Sequence, residues 1–330
     1  MGSRRLVAIS GLGSIARQHA AAFGRLPGIE RIGFDPSEAM RDAALADGVV
    51  ERVAPSLEAL LDADPHAVVV AAPDPWHIQQ LRAAVARGIP TLVEKPLADS
   101  LSAAATAAND LAGSGVPVLV GYVLRHRRVV ETVRALIAEG AIGDVATFQV
   151  MLGAYGTIPA AASRFATPEP DRLYRDYSHE WDYLRFLLSP VTAVSAVART
   201  VAVPGHVESP NAVDALLELR SGIVGAAHID YVEPRGTRTL QLAGTEGVLF
   251  ADIRHGRISL RRAGEDHERR YALAESPAEP LARQAEHLLA VADGEAEPRV
   301  TLTDGVAALA VADALARSAE TRSWTAVEHG

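Results

Sequence analysis

The sequence predicts an α/β chain of two domains, a doubly wound parallel sheet followed by an α+β domain on a mostly antiparallel sheet. Three observations predict it. Residues 5 to 121 alternate short apolar runs with helix-period segments, the pattern of βαβ units. The run Ala67-Val-Val-Val-Ala-Ala72 is apolar at every position, as a central strand covered on both faces must be. After Tyr122 the segments lengthen and alternate apolar with polar residues between turns, as antiparallel strands with one wet face do. With 330 residues there is chain enough for two cores. We expect domains of 1–122 and 123–330.

The first sheet is assigned strands at Arg5–Ser10, Arg31–Phe34, Ala67–Ala72, Thr91–Glu94 and Val116–Gly121, with a weaker one at Val49–Val53. Asp74 before Pro75 predicts a capped helix start and Gly88 a stop, bracketing a helix over 76–87. Ser56 and Ser100 read as two further N-caps. A helical stretch ending at Gly140 opens the second domain. Strands are expected there at 147–152, 191–203, 211–219, 223–231, 238–242, 248–253 and 257–261, with hairpin turns at Ser221-Gly222 and His255-Gly256. A helix over 304–316 follows.

Composition removes several function classes. The chain is 48% hydrophobic and 22% charged, that of an ordinary globular protein. With 41 acidic against 32 basic residues the net charge is −9, and no basic stripe is interleaved with aromatics. Nucleic acid and anionic membranes are therefore not expected as partners. There is no cysteine, which excludes disulfides, thiolate catalysis and Cys-ligated metal. No apolar run is long enough to span a bilayer, and the start lacks a signal-like core, so the cytoplasm is expected. Neither H-E-x-x-H nor G-x-S-x-G occurs; no metal is expected and no serine hydrolase mechanism is supported.

Gly11-Leu12-Gly13-Ser14-Ile15-Ala16 directly follows the first strand and opens a helix. The first glycine permits a tight turn, the second lets a pyrophosphate approach the backbone N–H groups of Ser14 and Ile15, and Ala16 keeps helix and strand close. Asp35 ends the second strand 22 residues after Gly13, completing the fingerprint of a Rossmann dinucleotide site. Its carboxylate suits the two ribose hydroxyls of NAD and repels a 2′-phosphate, and residues 36 to 38 offer no cation. NAD is favoured over NADP. The alternative for Asp35 is a helix cap or turn former before Pro36.

At the carboxyl ends of the next strands sit Ala72-Pro73-Asp74-Pro75-Trp76-His77 and Glu94-Lys95-Pro96. With the glycine loop these resemble the Gfo/Idh/MocA family, whose Thr-Pro-Asn-x-x-His loop is matched at Pro73 and His77 and whose Glu-Lys-Pro motif is matched in full. The likeness extends through Gly121-Tyr122-x-x-Arg125, Gly140-Ala141-Ile142-Gly143 and the stretch Asp176 to Leu184, and so covers nearly the whole chain. Many members carry Asp-x-Gly-x-His with the aspartate four residues before the histidine. Arg175 holds that position here, and Asp176 lies three before His179. The resemblance implies a Rossmann domain, a second domain with a large open sheet often used for oligomerisation, and NAD(P)-dependent oxidation or reduction of sugars and cyclitols. Two other activities are open on the same fold: an NAD-dependent glycosidase and a silent dinucleotide or sugar sensor.

Alcohol oxidation needs a group that takes the hydroxyl proton as hydride leaves. Lys95, just past a buried strand beside the ligand crevice, suits that role as base or proton donor, the alternative being a surface ion pair with Glu94. Asp176, His179 and Asp182 recur at i, i+3 and i+6, so they share a helix face opposite Trp181, Leu184, Leu187 and Leu188. Histidine titrates near neutrality, so His179 can relay or donate a proton, with Asp176 orienting it; a plain N-cap and a satisfied imidazole are the alternatives. Ala72, Pro73, His77, Glu94 and Lys95 are expected to shape the nicotinamide side of the cofactor site. Trp76 and Trp181 are expected to pack, with cofactor or substrate contact the alternative. Tyr122 and Arg125 are expected either to contact substrate or, for Arg125, to hold an interdomain ion pair. Residues 163 to 174, with Arg164, Arg172 and Tyr174, read as an irregular loop. Alternating strands over 211–261 leave a sheet face needing cover, so a homodimer or homotetramer is expected.

Overall fold

A computed structural model describes residues 5–160, 169–205 and 209–328. The chain divides into two compact units, Met1–His126 with Ser276–Val306 and Arg127–Glu275 with Ala307–His329.

The first unit is built on six parallel strands: β1 (Arg5–Ser10), β2 (Ile29–Phe34), β3 (Arg52–Val53), β4 (Ala67–Val70), β5 (Thr91–Val93) and β6 (Val118–Val120). Their order is β3-β2-β1-β4-β5-β6. The chain starts at the centre, winds outward to β3, then returns to β4, so the winding reverses between β1 and β4. That switch point opens a crevice at the carboxyl ends of the strands. Every residue of β4 is buried, as its unbroken apolar run requires. Ala8, Val68, Leu60, Leu61 and Ala84 form the core on one face of the sheet. On the other, Val7, Ile9 and Val69 pack with Ala16, Ala20 and Phe23 of helix Ser14–Phe23.

Ser56 and Ser100 cap their helices, accepting from Ala59 and Ala103 N–H at 3.1 and 3.3 Å. Asp74 does not act as a cap. Residues Asp74–Trp76 form a 3-10 turn, and the α-helix follows at His77–Val85.

The expected boundary at 122/123 is corrected in one respect. Helix Ala278–Ala292 joins the first unit, where Leu281, Ala285, Leu288 and Leu289 complete the core around helix 14–23. Its apolar stripe fits that face. Helix Leu302–Thr321 begins in the first unit, and from residue 307 it belongs to the second.

The second unit carries β7 (Val145–Gly153), β8 (Val191–Arg199), β9 (Ala212–Leu219), β10 (Val224–Asp230), β11 (Thr237–Gly244), β12 (Gly247–Asp252), β13 (Arg257–Arg262), β14 (Arg269–Ala272) and β15 (Thr325–Ala326). They form one sheet in the order β14-β13-β12-β11-β7-β10-β9-β8-β15. Neighbours are antiparallel except β7 and β10. The strand expected to reach 203 stops at Arg199, because the Asn211 side chain bonds both backbone groups of Val201, at 2.8 and 2.6 Å, in place of a ladder partner. Val150, Leu152, Leu217, Leu240, Leu242 and Leu249 are buried on one face. The opposite face exposes Met151, Val197, Leu216 and Phe250. Pairing sets Phe250, Gln241, Gln149, Ala226 and Leu216 in one cross-strand row there. Among the described residues no helix is long and apolar enough to cross a membrane.

Candidate active site

The glycine loop lies between two strand ends. Gly11 has φ +85°, and a Cβ there would lie 2.6 Å from the Ala71 carbonyl oxygen, so both its conformation and its close approach to β4 exclude a side chain. Gly13 differs. A Cβ at Gly13 meets no protein atom within 4 Å, so its bareness leaves space at the start of helix 14–23 rather than relieving a clash. That helix has no side-chain cap and no acidic residue in its first turn. The N–H groups around Ser14 and Ile15 thus face the cleared space, the arrangement that receives a pyrophosphate. The residues present fit a dinucleotide.

Asp35 is half-buried beside the loop. Its carboxylate accepts from Leu12 N–H and Ser37 N–H, both at 3.0 Å, which holds it against the loop and leaves oxygen lone pairs for ribose hydroxyls. Asp35 is not the helix cap, since Ser37 caps helix Glu38–Ala46, but its bond from Ser37 N–H makes it a turn former before Pro36 as well. Sequence reasoning missed Arg41, whose guanidinium donates to the Asp35 and Pro36 carbonyls at 2.7 and 3.3 Å. Only the i+6 spacing from Asp35 could have pointed to it.

Two loops meet at the carboxyl ends of β4 and β5. The His77 ring is buried, with Nδ1 2.8 Å from the Pro96 carbonyl and Nε2 2.8 Å from the Ala72 carbonyl. His77 therefore clamps the two loops together. Pro73 is exposed and Ala72 half-buried. Trp76 is 55% exposed, which corrects the expectation that it packs; the 3-10 turn points it away from the helix core. Lys95 is half-buried beside the cis Lys95–Pro96 peptide.

Glu94 does not form a surface pair. Its carboxylate is buried, with Oε1 2.7 Å from His19 Nε2, and Oε2 accepts from Lys95 N–H at 3.1 Å. Burial by itself raises this carboxyl, but the His19 hydrogen bond and the charges of His19 and Lys95 outweigh it and hold Glu94 below the ordinary carboxylate range. Gly121 makes room for it, because a Cβ there would sit 2.9 Å from the Glu94 carboxyl carbon.

Tyr122 is fully buried and Arg125 nearly so. Arg125 pairs with Asp304 at 3.0 Å and donates to the Arg299 carbonyl at 3.0 Å. The ion pair is real, but its partner lies in the same unit. Burial, then the charges of Arg299, His287, Arg283 and Arg125, push the neighbouring His126 imidazole down to about 3.

In the second unit the helix expected from Asp176 is broken at Tyr177, giving helices Arg172–Asp176 and Ser178–Leu187. Asp176 is buried and accepts from the Tyr231 hydroxyl at 2.8 Å, while His179 is half-buried. Asp182 is fully buried, so the face it is expected to share is turned inward there, and the break at Tyr177 parts Asp176 from the helix of His179 and Asp182. Trp181 packs in the core and donates to the Tyr174 carbonyl at 3.3 Å. Arg172 and Tyr174 are buried helical residues rather than loop residues, with Arg172 Nε donating to Glu169 at 3.1 Å. Arg164 lies outside the described residues. Among those described, no group of three or more His, Asp or Glu side chains could hold a metal.

A switch-point crevice, a bare helix start at the glycine loop and a half-buried lysine on the next strand end define a dinucleotide-dependent oxidoreductase. Residues 5–122 match the model of an oxidoreductase family with an NAD-binding Rossmann fold, and residues 130–250 match the GFO/IDH/MocA C-terminal domain. The chain belongs to the Gfo/Idh/MocA family. It is 27% identical to 1,5-anhydro-D-fructose reductase of Ensifer adhaerens over 97% of this chain and 98% of the relative. It is 26% identical to scyllo-inositol 2-dehydrogenase (NAD(+)) of Bacillus subtilis strain 168 over 78% of this chain and 76% of that one. Its fold matches an Agrobacterium radiobacter oxidoreductase, solved with NAD+, L-tartaric acid and magnesium, at a TM-score of 0.89 and 19% identity, covering 98% and 99% of the two chains.

Proposed function

We propose that this protein is an NAD(H)-dependent dehydrogenase or reductase acting on a secondary alcohol or ketone of a sugar, sugar derivative or cyclitol. The observation that carries the reading is the placement of Lys95 and the glycine loop at the carboxyl edge of one sheet, and the named activities of the relatives support the substrate class. NAD(H), when bound, supplies the hydride acceptor or donor. Gly11, Gly13, Ser14 and Ile15 receive its pyrophosphate, Asp35 its ribose, and the loops clamped by His77 its nicotinamide side. Lys95 Nζ takes the proton of the substrate hydroxyl in oxidation and returns it in reduction. We assign substrate contact to His179 and Asp176, the latter oriented by Tyr231. Absorbance at 340 nm over a panel of cyclitols, anhydrosugars and aldoses tests the class; no change in NADH with any member overturns it. Composition and the lack of cysteine favour the cytoplasm.

NADH should bind at least about tenfold more tightly than NADPH, a difference of ~1.4 kcal/mol. Fluorescence titration checks this, and Asp35→Ser should narrow the gap, because Arg41 then stands beside the 2′ position without a competing carboxylate. Equal affinities in the parent protein would remove Asp35 from the ribose.

The exposed sheet face is assigned to contact with a second copy, in a homodimer or homotetramer. Light scattering should give a mass at least twice the 34.8 kDa of one chain, and Leu216→Glu should lower it. A single-chain mass at micromolar concentration contradicts the assignment.

A further inference from the structure

We infer that His19 is a positioning residue for Lys95: its buried imidazole holds the Glu94 carboxylate, and that carboxylate in turn fixes the Lys95 backbone. The inference rests on the reading of Lys95 as the proton-transfer group.

His19 lies on the helix that begins in the glycine loop, and it is fully buried. It therefore touches no substrate, and its effect on chemistry must pass through another group. Nε2 stands 2.7 Å from Glu94 Oε1, whereas Nδ1 has no hydrogen-bond partner among the described residues. The bond to Glu94 is thus the ring's one polar tie there. Glu94 uses its other oxygen on Lys95 N–H at 3.1 Å, so a chain of two hydrogen bonds joins the cofactor helix to the reacting residue. The wall opposite is closed as well, since Gly121 has no space for a Cβ beside the Glu94 carboxyl. A carboxylate with a donor on each oxygen and backbone against its flank has one orientation.

Stability alone does not account for the arrangement. An apolar pair of similar volume fills such a space at no net loss, because burying charged groups carries a desolvation penalty. What an apolar pair lacks is the hydrogen bond to Lys95 N–H. The groups acting electrostatically on Glu94 are His19 from the helix and Lys95 beside it. Loss of the His19 donor leaves burial dominant, and the carboxyl then takes up its proton at higher pH.

The test uses His19→Phe, which keeps a ring and loses the donor, and His19→Gln, which keeps a donor of similar reach. His19→Phe should lower kcat by about 10- to 100-fold, the scale of a small misplacement of a reacting group. Its NADH Kd, read by fluorescence, should stay within about threefold, and the acidic limb of its pH–rate profile should move to higher pH. His19→Gln should restore kcat to within about threefold of the parent. Unchanged kcat in His19→Phe, equal losses in both variants, or a loss of NADH affinity matching the loss of kcat would each overturn the inference. If His19→Phe does not fold, His19→Asn replaces it, carrying the same amide as His19→Gln but one methylene short of Glu94. Impaired turnover in Asn with an active Gln supports the inference, and equal turnover overturns it. Lys95→Met in the same assays separates the two readings. If Lys95→Met is as active as the parent, the proton-transfer reading fails; if it is inactive while His19→Phe is normal, only this inference fails.

Discussion

Lys95→Met should lower kcat by about 10²- to 10⁴-fold, the usual cost of losing a general acid–base, while NADH affinity stays within a few-fold. Methionine keeps the aliphatic stem and volume of lysine, so the half-buried position remains filled. The proposed cofactor contacts lie mainly in the glycine loop, Asp35 and the loops held by His77, which are built from backbone and other side chains. A loss confined to kcat marks a group that acts in the transition state. Steady-state rates and fluorescence titration together check the prediction. Near-normal turnover with full NADH binding would make the Glu-Lys-Pro segment structural here and move the proton chemistry to His179.

Arg125→Met should destabilise the first unit by ~3 kcal/mol, because it strands the Asp304 charge in a site with little water. The two side chains are 5% and 13% exposed. Asp304 keeps bonds from Thr301 N–H and hydroxyl, both at 3.0 Å, which softens the loss without neutralising the charge. A drop in melting midpoint of roughly 6–12 °C follows for a unit of this size. Arg125→Met with Asp304→Leu should recover most of it, since replacing both partners by apolar groups removes the stranded charge. KM should change less than threefold, as Arg125 is spent on Asp304 and the Arg299 carbonyl. A tenfold rise in KM without destabilisation would return Arg125 to substrate contact.

What the sequence made legible is what local pattern encodes. Strand β1 was readable to the residue because an apolar run ended in a glycine motif, and the Ser56 and Ser100 caps because N-cap chemistry is local. The Rossmann spacing put Asp35, and the family's motifs Lys95 and His77, at strand ends. The rest depended on distant partners. Nothing in the spacing of residues 19 and 94, or of 176 and 231, announces a hydrogen bond between them. Helix 278–292 carries an apolar stripe, but a stripe alone does not say which of two cores it completes. Asp182 matched a polar face by period, and only tertiary packing shows that face to be internal. A large aromatic residue suggests packing, whereas Trp76 is exposed on the 3-10 turn that precedes the helix.

The interleaving of the two units has a consequence for synthesis. Residues 127–275, which hold all but the last short strand of the large sheet, are synthesised before Ser276–Val306. The nascent N-terminal sheet must therefore wait, with the apolar side of helix 14–23 lacking Leu281, Ala285 and Leu288, while the later-encoded unit is already being assembled. Both units are completed late in synthesis, the first with Val306 and the second only with Ala307–His329. The half that grips the nucleotide is begun first and finished only after most of the other half has been made.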